Sequence, residues 1–519
     1  MGDRDVWYRA SLARLMTAVC DLLDSVVPCL LGAAILVYIT VIFLVSKWQL
    51  DTLRMGFDPL VYVQPLWNTL HGRVAAQSMF AYRSTIFGQD LFLFHFVLLP
   101  FYALHPTIAT LLLLQTIAAG AGAVAIFLIA RDALPDHRIV ALLFALLFLS
   151  YLPLQNDNLY EVQPRLFAAT FFLFAYWCMT RGYTAAFWAL ILLAISNRTD
   201  AALIVAMLGC YGLLTHRSFA FSWLPLGIGG GYWVLATLVI IPAFAGGRQF
   251  LYLENYGWLG DNLGAIVRTI TTHPLFVFRA VFARDWWDYP IGLLFALAFL
   301  PLLQPRALII AAPSFLLNFF AGAPFADQRD IFHQYSAFIT PWLFVAVILA
   351  VAALAQGTHP IMRAFPRLRA IVKRRDQGRV AISLVLLMLA LSVLQQGYTR
   401  PNKIGDFLHH SENVPRVTAV DSLIPLIPPD APLAVTSLAA TRVPLRRALY
   451  AFPGNASYDP ALVDCAVYLL GDRQRDAATE GNKLDSLVAS GEWRLVAQQG
   501  DFELLQHTAP SQSEICRER

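Results

Sequence analysis

Asp58 stands in the run Gly56-Phe57-Asp58-Pro59-Leu60, at the head of a polar loop that follows the first long apolar segment. A carboxylate at the mouth of a membrane-embedded cavity can take a proton from a hydroxyl beside the bilayer, the chemistry of a polytopic enzyme fed by a lipid carrier. A solvated loop aspartate is the plain alternative. Further along, Arg198-Thr199-Asp200 interrupts an apolar hairpin. A charge at mid-depth there costs about 2.5 to 3.5 kcal/mol, so these two residues need partners. They can pair with each other, or Arg198 can bind phosphate, since a planar guanidinium suits bidentate contact with it. Glu161 and Arg165 stand four apart and read most simply as a helical ion pair. His333 and Tyr335 either cap the helix that follows or contact substrate. Gln64 and Asp90 complete the polar groups of interest. Asp58 and Asp90 offer a candidate pair for a hard divalent cation. No His/Cys/carboxylate spacing marks a zinc site.

The elements that must hold these groups are membrane helices. Hydrophobic residues make up 58% of the 519 and charged ones 14%, the balance of an integral membrane protein and not of a soluble core. The net charge of +4 is small and evenly spread, which argues against nucleic acid as a partner. Residues 1–25 read as an amphipathic helix on the membrane surface, without a cleavable signal peptide. Apolar segments such as 26–45, 108–130, 139–154, 223–245 and 335–354 are long enough to cross roughly 30 Å of hydrocarbon. With shorter segments at 166–180, 184–196, 201–214, 291–303, 307–320 and 381–394, the reading is a mainly α, polytopic transmembrane domain over 26–396 with about eleven spans.

Orientation follows from loop arginines and lysines. Residues 359–379 hold Arg363, Arg367, Arg369, Lys373, Arg374, Arg375 and Arg379 against Asp376 alone, so this loop is expected in the cytoplasm. Residues 91–104 are apolar but short and end at His105-Pro106, which predicts a re-entrant or interfacial half-helix on the outer side. The outer loops are then 47–106, 156–164, 246–290 and 323–335, with the junction 197–200. All the candidate residues named above fall on that side. The Tyr252, Tyr256, Trp258, Asp285, Trp286 and Trp287 group of the third loop reads as an interfacial aromatic belt or as a sugar platform.

Residues 397–519 read as a small extracytoplasmic α/β domain, with strands near 433–436, 467–470, 494–498 and 502–505 and helices near 414–427 and 483–490. Cys465 and Cys516 lie there and can pair only in an oxidising compartment, whereas Cys20, Cys29, Cys178 and Cys210 sit in or near apolar helices as packing residues. No glycine-rich nucleotide fingerprint is present.

The run Phe57-Asp58-Pro59-Leu60-Val61-Tyr62-Val63-Gln64-Pro65-Leu66-Trp67-Asn68-Thr69-Leu70-His71-Gly72-Arg73 resembles the signature of the polytopic proteins catalogued as domain of unknown function 2079. The likeness continues through residues 98–104, Arg198-Thr199-Asp200 and His333-Gln334-Tyr335-Ser336 into the C-terminal domain. That family is similar in turn to the GT-C class of membrane glycosyltransferases, which move sugars such as aminoarabinose or mannose from polyprenyl-phosphate carriers. In those enzymes an acid in the first outer loop, an interfacial half-helix and a helix ending in a cytoplasmic Arg form the catalytic module, and Asp58, residues 91–104 and Arg131 occupy matching places. The chain departs from the pattern at Pro59 and Val63, where related proteins carry a second acid, and at Gln163-Pro164-Arg165. Asp58 would therefore act as a lone base, or with Asp90.

The resemblance implies a transferase that moves a sugar from a lipid-linked donor to the hydroxyl of an extracytoplasmic glycan, lipid or protein, in a prokaryotic plasma membrane. Asp58 is then the base, and Gln64, Asp90, Glu161, Arg165, Arg198, Asp200, His333 and Tyr335 are the expected substrate-binding set. No cofactor is required beyond the cation question at Asp58 and Asp90. A lipid or polysaccharide transporter and a non-catalytic membrane scaffold are the other two readings. A transporter should show related halves with broken helices at matching places, and no such repeat is seen.

Overall fold

The computed structural model describes residues 3–80, 83–282, 287–322, 325–364, 377–399, 402–409, 414–453, 460–474, 483–510 and 516. Its first helix, α1 (Asp3–Asp51), runs unbroken from the N-terminal segment into the first membrane span, while the side chains of residues 1–25 lie outside the description. Then come α2 (Asp58–Leu70), α3 (His95–Leu104), α4 (Ile108–Ala133), α5 (Arg138–Ser150), α6 (Leu152–Tyr160), α7 (Arg165–Arg181), α8 (Thr184–Ile195), α9 (Ala201–Leu214) and α10 (Trp223–Leu235). The basic stretch at 365–376 lies outside the described residues.

Among the described residues, Val26–Asp51, Ile108–Ala133, Phe219–Phe244 and Gln377–Tyr398 are long and apolar enough to cross a membrane. The pair α5 and α6, bent by 45°, makes a fifth if it counts as one span. Several other segments expected to cross form shorter apolar helices, including α8, α9 and Thr340–Ala355. Residues 291–303, expected as one helix, are broken into short turns around Ala298 and Phe299, both at positive φ. Pro301 and Pro305 explain the break, because each removes an amide donor and crowds the preceding turn. In the same way a five-residue π-turn, Ala236–Ile240, lies directly before Pro242.

Small residues let the helices approach. A methyl group on Gly229 of α10 would lie 2.5 Å from the Ala202 carbonyl of α9, so that contact needs a glycine. The main apolar core fills the bundle with Phe144, Phe172, Phe187, Trp342 and Phe344.

The C-terminal region forms a five-stranded sheet in the order β2-β1-β3-β5-β4, built from β1 (Leu433–Thr436), β2 (Leu449–Phe452), β3 (Tyr468–Asp472), β4 (Trp493–Gln499) and β5 (Phe502–His507). β1 runs parallel to β2 and β3, and β5 pairs antiparallel with β3 and β4. β2 escaped the sequence reading, since four apolar residues without alternation carry no strand period. The sheet is covered on both sides. Leu433, Val435 and Leu449 face a core shared with Leu60, Phe92 and Tyr102 of the membrane domain, while Ala434, Tyr450 and Leu469 face a second core with Trp493. Cys465 and Cys516 are joined as a disulfide.

Candidate active site

α2 opens on Asp58 and Pro59, an acid and a proline in the first turn, where the helix dipole favours negative charge and the missing proline N–H costs nothing. Asp58 is half-buried. Helical spacing puts Val61 and Tyr62 on the same face as Asp58, and all three line a cavity of about 200 Å³. The other walls come from distant parts of the chain: Gln163 and Arg165 at the start of α7, Arg198 and Asp200 at the α8–α9 junction, Tyr252 and Tyr256 from the turn Leu251–Tyr256, Asn318, and Tyr335 with Phe338.

An ion-pair network forms one side. Arg165 Nη2 donates to Asp200 Oδ2 at 3.0 Å, Arg198 Nε donates to Asp200 Oδ1 at 3.1 Å, and Arg198 Nη1 lies 3.1 Å from Asp90 Oδ2. Arg198 Nη1 also donates to the Tyr62 hydroxyl at 3.2 Å, and its guanidinium lies 5.1 Å from the centre of the Tyr252 ring. Behind it, the Thr199 amide and hydroxyl donate to Asp90 Oδ1 at 2.8 and 2.6 Å. Two arginines and two aspartates cancel in charge. Arg198 is thereby used on several sides, whereas the only side-chain hydrogen bond of Arg165 among the described residues is the one to Asp200. Its guanidinium rests 5.4 Å from the Tyr335 ring centre, and the residue lines the cavity.

The family model described as "Predicted membrane protein (DUF2079)" matches residues 49–504. The chain belongs to this family. No curated protein matches it. Among solved structures, ArnT from Cupriavidus metallidurans bound to undecaprenyl phosphate is 14% identical with a TM-score of 0.47, over 91% of this chain and 98% of that one. The Archaeoglobus fulgidus oligosaccharyltransferase in complex with Zn and sulfate is 14% identical with a TM-score of 0.38, over 88% and 70%. AglB of the same organism, with an inhibitory peptide and a dolichol-phosphate, is 13% identical with a TM-score of 0.38, over 93% and 76%.

In this DUF2079 protein the expected site residues divide into two groups. Asp58, Arg165, Arg198, Asp200 and Tyr335 line the cavity; Gln64, Asp90, Glu161 and His333 do not. Gln64 is fully buried with its amide spent on the C-terminal module: Nε2 donates to Ser78 Oγ at 2.8 Å and to the Arg446 and Arg447 carbonyls, and Oε1 accepts from the Ser78 amide at 3.0 Å. Asp90 accepts from Thr199 and pairs with Arg198, outside the residues that line the cavity with Asp58. Among the described residues no group of three or more His, Cys, Asp or Glu side chains could hold a metal ion. His333 neither caps the helix Thr340–Ala355 nor lines the cavity, because its Nδ1 is held 2.8 Å from Asp330 Oδ1.

The helical Glu161–Arg165 pair is also replaced. α6 ends at Tyr160, Glu161 is extended, and α7 begins at Arg165, so the two residues share no helix. Pro164 accounts for the break. Glu161 turns instead to Gly56, whose N–H donates to Oε1 at 2.5 Å. Burial, and after it the nearby Asp58 charge, push the Glu161 carboxyl up to about 8. Lys403, whose Nζ donates to the Leu159 carbonyl at 3.1 Å, is brought down by burial to about 8, with Glu161 opposing the shift. At Asp200 burial works against the charge, yet Arg198 and Arg165 hold its carboxyl below the usual range.

Of the third-loop aromatics, Tyr252 and Tyr256 line the cavity, Trp258 spends its indole N–H on the Phe320 carbonyl, and Trp287 is exposed. Asp285 and Trp286 lie outside the described residues. Tyr62 was missed as a site residue, although its position four after Asp58 on an N-terminal helical turn is a readable signal.

Proposed function

We propose that this DUF2079 protein is a membrane glycosyltransferase that moves a sugar from a polyprenyl-phosphate carrier to an acceptor hydroxyl on the extracytoplasmic side, with Asp58 as the base. The observation that carries this reading is that Asp58 and Arg165 line one cavity although 107 residues separate them (165 − 58). The likeness of the sequence to GT-C enzymes supports it. The Cys465–Cys516 disulfide supports an oxidising compartment for the C-terminal module.

In the reaction Asp58 takes the acceptor proton as that oxygen attacks the anomeric carbon, and the bond from that carbon to the carrier phosphate breaks. A positioned base contributes roughly 10²- to 10⁴-fold. Arg165 receives the departing phosphate through N–H groups that Asp200 does not use. Because Asp90 and Asp200 neutralise the two arginines while Asp58 and Glu254 also line the cavity, this contact depends on the geometry of a bidentate fork and not on net attraction. Arg198, committed to Asp90, Asp200 and Tyr62, holds Asp200 and so orients Arg165. The tyrosines Tyr62, Tyr252, Tyr256 and Tyr335 offer hydroxyls and ring faces suited to a sugar. Mass spectrometry of lipid extracts tests this reading: lipid-linked sugars accumulate in cells whose only copy carries Asp58→Asn, and a normal profile with the variant folded in the membrane refutes it.

A further inference from the structure

Glu161 is 7% exposed, lies outside the cavity lining, and points at the turn that carries Asp58. Its Oε1 accepts the Gly56 N–H at 2.5 Å. Glu161, 105 residues further along, thus ties down the backbone of Gly56, two residues before α2 begins.

The hold is tight on all sides. A methyl on Gly56 would lie 2.8 Å from the Ser437 hydroxyl and 3.2 Å from Glu161 Oε1, so a side chain there would make these neighbours shift. Met55 and Phe57 are buried in the core shared with Val435, Ala439 and Ala440 of the C-terminal module. Glu161 is itself fixed, since Gln115 of α4 donates to its carbonyl at 2.7 Å and accepts from the Gln163 amide at 2.7 Å.

We propose that Glu161 is a positioning residue for Asp58: its carboxyl holds the turn at 56–58 and thereby sets where the Asp58 carboxylate enters the cavity. This role rests on the reading of Asp58 as base. A misplacement of about 1 Å in a reacting group can cost on the order of 10²-fold in rate.

Two measurements on the full-length protein test it: hydrogen exchange of the peptide spanning 52–62 in detergent micelles, and consumption of endogenous lipid-linked sugar in isolated membranes. Glu161→Ala is expected to speed exchange at the Gly56 amide about 10-fold and to slow consumption about 10²-fold. Glu161→Gln, which keeps an acceptor oxygen, is expected to stay near wild type in both. Unchanged exchange in Glu161→Ala overturns the proposal, and so does a Glu161→Gln protein as impaired as Glu161→Ala. If Glu161→Ala speeds exchange while Asp58→Asn keeps full activity, the hold on the turn stands and the base assignment falls.

Discussion

Arg165 and Asp200 meet at 3.0 Å across the start of α7 and the start of α9, and both residues line the cavity. In the proposed reaction Arg165, with fewer side-chain partners than Arg198, is the cation that meets the departing phosphate. Arg165→Gln is expected to lower transfer about 10²-fold, while Arg165→Lys recovers only part of the loss because a point charge cannot make the bidentate contact. Transfer rates in membranes containing equal amounts of each variant check this. Equal rates for Arg165→Gln and wild type would remove Arg165 from the mechanism.

Asp90 does not line the cavity, so its substitution should act through Arg198. Asp90→Ala leaves a buried guanidinium, with a side chain only 7% exposed, short of one carboxylate and the Thr199 donors without their acceptor. Removing one partner of a buried pair costs about 3 to 5 kcal/mol. Chemical unfolding in detergent should show that loss, and a stability within about 0.5 kcal/mol of wild type would place the Arg198 charge elsewhere.

The C-terminal module is tied to α2 by Gln64 and by Ser78, whose hydroxyl donates to the Leu449 carbonyl at 2.7 Å and accepts from the Leu449 amide at 2.9 Å. Ser78→Ala leaves those buried β2 groups unpaired, at a cost of about 1 to 3 kcal/mol. Limited proteolysis should then release the module faster. Unchanged cleavage would show that the shared apolar core alone holds it.

Much of this arrangement was legible in the residues, and the illegible part has a physical pattern. Long apolar runs mark α1 and α4 because a span needs length and little else, and β4 and β5 show in their turn residues and alternation. Arg198 and Asp200 were readable as a pair because charges inside an apolar hairpin demand partners. Glu161 was misassigned because an i, i+4 rule holds only while one helix continues, and Pro164 ends that helix. Gln64 and Asp90 have partners 382 and 109 residues away, at Arg446 and Thr199, which no local pattern reveals. The loop of Tyr252 and Tyr256 read equally as belt or platform, and only the packing of the turn Leu251–Tyr256 brings these two to the cavity.

Acidity gives a separate test. The folded protein keeps a proton on Glu161 up to about pH 8, whereas an ordinary glutamate, near 4.5, has released it in the unfolded chain. The folded state then binds more protons across that window, so stability falls as pH rises from about 5 to 8. Lys403 has the opposite sign: lowered to about 8 from 10.5, it is released first in the folded state, and stability rises with pH between those values. Thermal unfolding in detergent should therefore pass through a minimum near pH 8. In Glu161→Gln the fall below pH 8 should vanish and the rise from Lys403 should begin at a lower pH, because the carboxylate that opposed its shift is gone.

The central claim is that Asp58 takes the acceptor proton, and its most direct measurement is the rate at which membranes carrying Asp58→Asn transfer sugar from endogenous polyprenyl-phosphate donors. The expected result is a loss of roughly 10²- to 10⁴-fold with the protein inserted and folded as in wild type. Transfer at the wild-type rate by that folded variant would contradict the account.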